Sequence, residues 1–183
     1  LKHILVLRLG HRKKRDPRVT THVALAARAF GAEGMIYSGD QDPATVKSIC
    51  KAVTNWGGEF SVQYVRSWKV FLKKWSERGK SVHLTMYGIG ALDAIEQIRS
   101  TDTDLLVIVG GQKVPGELYN LVDWNISVTS QPHSEVSAIA VFLHMLNQGK
   151  EFEYKFQGAR IIVVPSSRKK KVIRSDTSSL SSS

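Results

Sequence analysis

The chain is nearly devoid of cysteine. Cys50 is the only one in 183 residues, which excludes an internal disulfide framework, and the scattered histidines give no zinc-ligand spacing. Cys50 lies in the apolar-periodic run 46–53 and is expected to be a small core residue. Acidic residues are also scarce. Sixteen Asp and Glu stand against 26 Lys and Arg, a formal net charge of +10 with a pI near 9.8. That balance points to a polyanionic partner, nucleic acid first and an anionic membrane surface second. No apolar run reaches the roughly 18 residues needed to cross a bilayer. The opening Leu1–Arg8 is too short and too soon charged to read as a signal peptide. The expectation is a cytoplasmic protein without a membrane or metal requirement. At this length one domain is the prior, and it buries roughly 70% of its unfolded surface without staples.

Familiar catalytic motifs are missing too. Gly111-Gln-Lys-Val-Pro-Gly116 has the glycine spacing of a phosphate-binding loop, but Glu117 and Leu118 stand where Lys and Ser or Thr are needed. Gly88-Ile-Gly-Ala-Leu-Asp93 follows a strand and opens a helix, yet lacks the third glycine of a dinucleotide fingerprint, and Asp93 would face the pyrophosphate. No Gly-x-Ser-x-Gly elbow is present.

What is present is alternation. Apolar runs at 4–7, 34–37, 60–65, 81–85, 105–109 and 124–128 read as strands. Between them lie helical patterns, with Thr20 or Thr21 capping the first and Asp42-Pro43 opening the second. Trp68, Phe71, Leu72 and Trp75 share a helical face and read as core rather than a base-stacking platform. Residues 134–146 are apolar on nearly every side, as expected of a central or interface helix. The fold class is therefore α/β, a largely parallel sheet flanked by helices. After Gly149 the segments 152–156 and 161–164 suggest a closing hairpin or edge strands. The division expected is 1–165 as the folded domain and 166–183 as a basic, Ser-rich tail. That tail is expected to be disordered when free, and is either solubilising or laid on RNA.

Three strand-to-loop junctions mark a ligand crevice: 82–88, 108–118 and 126–134. In open α/β sheets, ligands sit at the carboxyl ends of strands, and glycine lets the backbone come close to them. Upstream, Arg8, Arg12, Lys13, Lys14, Arg15 and Arg18 crowd one segment against Asp16 alone.

The run Leu105-Leu-Val-Ile-Val-Gly-Gly-Gln-Lys-Val-Pro-Gly-Glu-Leu118, with Asp123 and Ile126-Ser-Val-Thr-Ser-Gln-Pro-His-Ser-Glu-Val-Ser-Ala138, resembles the C-terminal signature of the SPOUT methyltransferases. A narrower likeness rests on Leu7-Arg-Leu-Gly-His-Arg12, Arg15-Asp-Pro-Arg-Val-Thr-Thr-His-Val23, Ala27-Arg-Ala-Phe-Gly-Ala32, His83-Leu-Thr-Met-Tyr-Gly88 and Gln131-Pro-His-Ser-Glu-Val136. It is to the archaeal tRNA (cytidine-56) ribose 2'-O-methyltransferases, and covers about residues 3–165. The resemblance implies S-adenosyl-L-methionine as methyl donor, tRNA as partner, a homodimer and a C-terminal trefoil knot. It assigns the donor to Leu84, to Gly110, Gly111, Gln112, Lys113 and Val114, and to Val128, Thr129, Ser130, Gln131, Pro132, His133, Ser134 and Glu135. In SpoU-type relatives, an Asn and an Arg follow the Asp-Pro of the first motif; aligned on Asp16-Pro17, those positions hold Val19 and Leu25. The usual catalytic arginine is absent there, so Arg18, Arg8, His11 and Arg12 become the catalytic candidates. His133 could orient the donor or cap a turn, and Arg8 or Arg18 could be structural ion pairs. Two other readings stay open, a non-catalytic RNA-binding module and a nicotinamide dehydrogenase built on Gly88 and Gly90.

Overall fold

The computed structural model describes residues 2–111 and 114–174. Six strands form one parallel sheet: β1 (Ile4–His11), β2 (Gly34–Gly39), β3 (Ser61–Tyr64), β4 (Gly79–Gly90), β5 (Asp104–Gly110) and β6 (Trp124–Ser127). Their order is β3-β2-β1-β5-β4-β6, with every adjacent pair parallel. The helices are α1 (Pro17–Ala29), α2 (Pro43–Trp56), α3 (Trp68–Trp75), α4 (Ala91–Arg99), α5 (Leu118–Leu121) and α6 (Glu135–Asn147).

Both faces of the sheet are covered, which is why its strands are apolar throughout rather than alternating. The pleat sorts them. Leu105, Val107 and Val109 join the core beneath α1, α2, α4 and α6, whereas Leu106 and Ile108 pack with Leu72, Trp75 and Leu118 on the other side. The aromatic stripe of α3 belongs to this second core, as expected.

Local signals placed α2 well. The Asp42 carboxylate accepts from the Ala44 and Thr45 amides, Pro43 sits at the first helical position, and Gly57 closes the helix at φ 75°. Other expectations need correction. Helix α1 begins at Pro17, a turn before the expected Thr20 cap, and Thr20 is buried. Cys50 is exposed, not core. The buried stripe of α2 is narrow, Thr45 and Ile49, and Cys50 falls on its solvent side. Strand β1 runs on through Arg8 to His11, where a loop was expected. Residues 150–153 form a 3-10 turn. The C-terminal hairpin instead pairs β7 (Ile161–Val163) with β8 (Val172–Arg174), antiparallel and separate from the main sheet. β8 thus lies within the 166–183 stretch, and residues 175–183 fall outside the described ones.

The strand order has a switch point. From β1 the chain moves outward to β2 and β3, and later returns on the other side through β4 and β5. Crossover loops diverge there, leaving a small recess at the carboxyl ends of β1 and β5, beside a larger cleft between β5 and β4.

Candidate functional site

A cleft of about 590 Å³ opens at the carboxyl ends of β4 and β5. Its wall comes from three loops. Leu84 to Tyr87 leave β4, Gly110, Gly111 and Val114 follow β5, and Pro132 to Glu135 lead into α6. Strand β4 makes the first loop by leaving its ladder. Leu84 pairs with Ile126, residues 85–88 bow out, and Ile89 returns to pair with Ile126 again. Gly88 permits this: a Cβ there would lie 2.5 Å from the Asn125 carbonyl carbon.

The cleft floor is held by a hydrogen-bonded set. His83 Nδ1 lies 2.9 Å from Asn125 Oδ1. The Asn125 amide donates to the Tyr119 carbonyl at 2.9 Å, and the Tyr119 hydroxyl meets Thr85 Oγ1 at 2.8 Å. Because Asn125 donates through its nitrogen, its oxygen must accept, so His83 carries its proton on Nδ1. Burial lowers the His83 pKa, partly opposed by the Asn125 bond. The ring is therefore neutral near pH 7, and its Nε2 is an acceptor.

Beside this cleft lies a second recess of about 260 Å³, lined by Arg8, Arg12, Arg15, Asp16, Val19, Gly111 and Glu135. Val19, Gly111 and Glu135 line both. Register explains Arg8. It shares the pleat face of Val6, which packs under α1 and α6, so its guanidinium meets the start of each helix. Its Nε donates to Glu135 Oε2 at 3.1 Å, and Nη2 lies 4.0 Å from Asp16 Oδ2. Only 1% of Arg8 is exposed, and its Nη1 is buried without a partner. Arg12 grips Asp16 through two bonds, Nε at 2.8 Å and Nη2 at 3.1 Å. That contact holds the Asp16 carboxyl below its ordinary pKa and raises that of Arg12.

Residues 56–173 match the profile of a family described as tRNA ribose 2'-O-methyltransferase, aTrm56. A protein of Methanothermobacter thermautotrophicus named tRNA (cytidine(56)-2'-O)-methyltransferase is 51% identical, covering 91% of this chain and 94% of its own. One of the same name from Methanopyrus kandleri is 52% identical, covering 93% and 96%. The chain belongs to the aTrm56 family of tRNA ribose 2'-O-methyltransferases.

Solved structures extend the fold beyond that family. The SpoU methyltransferase AviRb from Streptomyces viridochromogenes, in complex with AdoMet, superposes with a TM-score of 0.57 at 15% identity, over 81% of this chain and 58% of that one. The TrmH/SpoU tRNA modifying enzyme of A. aeolicus gives 0.59 at 14% identity, over 84% and 78%. At such identities the likeness is one of fold, and the fold is the SPOUT arrangement.

Within this aTrm56 chain the expected residues divide. Leu84, Gly110, Gly111, Val114, Pro132, His133, Ser134 and Glu135 come together at the cleft. Ser134 also caps α6, accepting from the Ser137 amide at 3.1 Å. His133 is exposed, with Nδ1 2.7 Å from the Gln131 carbonyl. Val128, Thr129, Ser130 and Gln131 form the approach to that loop and do not line the cleft. Gln112 and Lys113 lie outside the described residues. Of the catalytic candidates, Arg8 and Arg12 line the recess. Arg18 is exposed on the first turn of α1, one residue from Val19. His11 is elsewhere: it is 1% exposed, wedged between Thr20 Oγ1 at 2.6 Å and Asp42 Oδ2 at 3.3 Å, with Tyr37 edge-on. Both ring nitrogens are occupied by scaffold, so it ties β1 to α1 and α2. Sequence reasoning missed Asn125 and Tyr119. Their only signal was polar and aromatic residues beside strand ends, which spacing alone does not rank.

Proposed function

We infer that the protein methylates the ribose 2'-hydroxyl of cytidine 56 in tRNA, with S-adenosyl-L-methionine as donor. The observation that carries this reading is the 51% identity, across nine-tenths of the chain, to an enzyme of that name. The cleft suits the donor. Its volume is within the ordinary range for small-molecule sites. Leu84, Val109, Val114, Ala138, Tyr87 and Tyr119 offer apolar and aromatic wall for an adenine. A Cβ at Gly110 would lie 2.5 Å from Val114 Cγ2, so a larger residue there would push the Val114 side chain aside. Among the described residues, Glu135 supplies the one carboxylate on the lining, suited to a cationic ligand. Bound there, the donor supplies an electrophilic sulfonium methyl group.

The protein's own task is then to align the ribose and let a proton leave. A 2'-hydroxyl is a weak nucleophile, and arginine stays protonated, so a guanidinium cannot be its base. Arg18 orients the hydroxyl and the adjacent phosphate, and the proton passes to a phosphate oxygen or water. Arg12 offers its exposed edge to RNA oxygens, while buried Arg8 holds Glu135 and Asp16 in place behind it. Glu135, held by Arg8, joins the donor site to the RNA recess.

The same reading makes the protein a cytoplasmic homodimer with a trefoil knot. Exposed Ile89, Leu92, Leu121 and Val141 supply apolar surface for a second copy, and Arg18 lies outside its own cleft.

Labelled methyl transfer to a tRNA transcript, followed by nuclease mapping, tests the reading. Label at nucleotide 56 is expected; label only at another nucleotide, or none, refutes it. Arg18→Ala should abolish turnover while donor affinity in calorimetry changes less than about threefold, under 0.7 kcal/mol. Loss of both together would remove Arg18 from its assigned role.

A further inference from the structure

The β7–β8 hairpin takes no part in the cleft. Residues 159–174 hold six cations, Arg160, Arg168, Lys169, Lys170, Lys171 and Arg174, and no acid. Four of them follow one another at the tip. The tip is ordered: the Arg168 and Lys169 amides donate to Ser166 Oγ at 3.4 and 3.1 Å, and the Val164 amide donates to the Lys171 carbonyl at 2.9 Å. All four tip cations are exposed, and none has an acidic partner among the described residues.

The root is fixed to the domain. The Arg160 amide donates to the Asn55 carbonyl at 2.9 Å, and the Gly58 amide to Gln157 at 2.6 Å. Gly57 allows the approach, since a Cβ there would lie 2.5 Å from the Gln157 carbonyl oxygen. Arg28 of α1 adds a clamp, donating to the Trp56 carbonyl at 2.9 Å and stacking 4.2 Å above the Phe156 ring. This root sits at the end of α2 that leads into β3, the amino edge of the sheet. The cleft is at the carboxyl edge, roughly 20 Å away at about 3.3 Å per strand residue.

We propose that the β7–β8 hairpin is a second RNA-contact surface, gripping tRNA phosphates at a distance from the methyl-transfer cleft. The proposal rests on tRNA being the substrate and extends that reading to how the tRNA is held. Four adjacent cations on an ordered turn match the spaced anions of a phosphodiester backbone. Both faces of the hairpin are open to a partner: Ile162, Val163, Val172 and Ile173 are exposed at 51%, 58%, 37% and 55%.

The test is tRNA binding and methylation by the full chain carrying K169A/K170A/K171A, across a salt series. Loss of three phosphate contacts should weaken binding about tenfold or more near 0.15 M salt, and flatten the log K against log salt slope by up to about 3. KM for tRNA should rise while kcat holds, and K169R/K170R/K171R should restore it. K73A/K74A, which removes exposed lysines from α3, controls for net charge. Unchanged tRNA affinity in the hairpin variant, or an equal loss in the control per charge removed, overturns the proposal. So does hairpin-dependent binding to phosphatidylserine vesicles that tRNA does not compete away. The two readings fail separately. Hairpin-dependent tRNA binding without methyl transfer sinks the enzyme assignment alone, whereas transfer at nucleotide 56 indifferent to the hairpin sinks this one alone.

Discussion

Replacing Arg8 by alanine is the sharpest test of the site's construction. Arg8 is 1% exposed, and its guanidinium binds Glu135 at 3.1 Å. Asp16 keeps its two bonds from Arg12 after the change. Glu135 keeps no ion pair within 4 Å among the described residues, only the more distant charge of Arg12, and its side chain is only 15% exposed. Breaking a buried pair from one side costs about 3–5 kcal/mol, mostly for the charge left behind. Because Glu135 retains some solvent and the favourable N-terminus of α6, the lower end, about 3 kcal/mol, is expected. For a domain of this size that is a fall in Tm of roughly 6–12 °C. Urea denaturation measures it. Adding Glu135→Gln to Arg8→Ala removes the stranded charge, so the double variant should recover 1 kcal/mol or more, by the non-additivity expected of contacting residues, about 0.5–3 kcal/mol. Strict additivity, or a single-variant loss below about 0.5 kcal/mol, would falsify the claim that Arg8 holds two helix starts together.

Three further outcomes follow from the geometry. Gly88→Ala places a Cβ 2.5 Å from the Asn125–Ile126 backbone, which cannot yield as a side chain can; a loss of about 1–3 kcal/mol or more is expected in denaturant melts, with weakened donor binding in calorimetry. The depressed His83 pKa makes the folded state refuse a proton that the unfolded chain accepts near pH 6.5. Its contribution is intact above that value and is lost as pH falls from about 6.5 through the lower folded value; His83→Gln should show a smaller drop in stability between pH 7.5 and pH 5. Cys50→Ser should be neutral within about 0.5 kcal/mol, as for other surface changes, and unmodified Cys50 should react readily with a thiol reagent in the folded protein.

The periodic and punctuated parts of this protein were legible without coordinates. Strand-helix alternation gave the parallel sheet, Asp42-Pro43 and Gly57 bounded α2, and paired glycines after β5 marked the cleft. These signals work because they are local: pleat, helical turn and left-handed backbone are decided within a few residues. Tertiary structure alone decided which basic side chains are free. Arg8 and His11 lie three residues apart in one strand. One faces the junction of α1 and α6, 127 positions away in Glu135, and the other is sealed by Thr20, Asp42 and Tyr37. Cys50 turned outward because the sheet takes only a narrow stripe of α2. The basic run at 168–171 became a hairpin tip because β8 found β7, a pairing no spacing rule singled out. Composition says how much positive charge the chain carries, but only the packed fold determines which of those charges face solvent and which are committed to the scaffold.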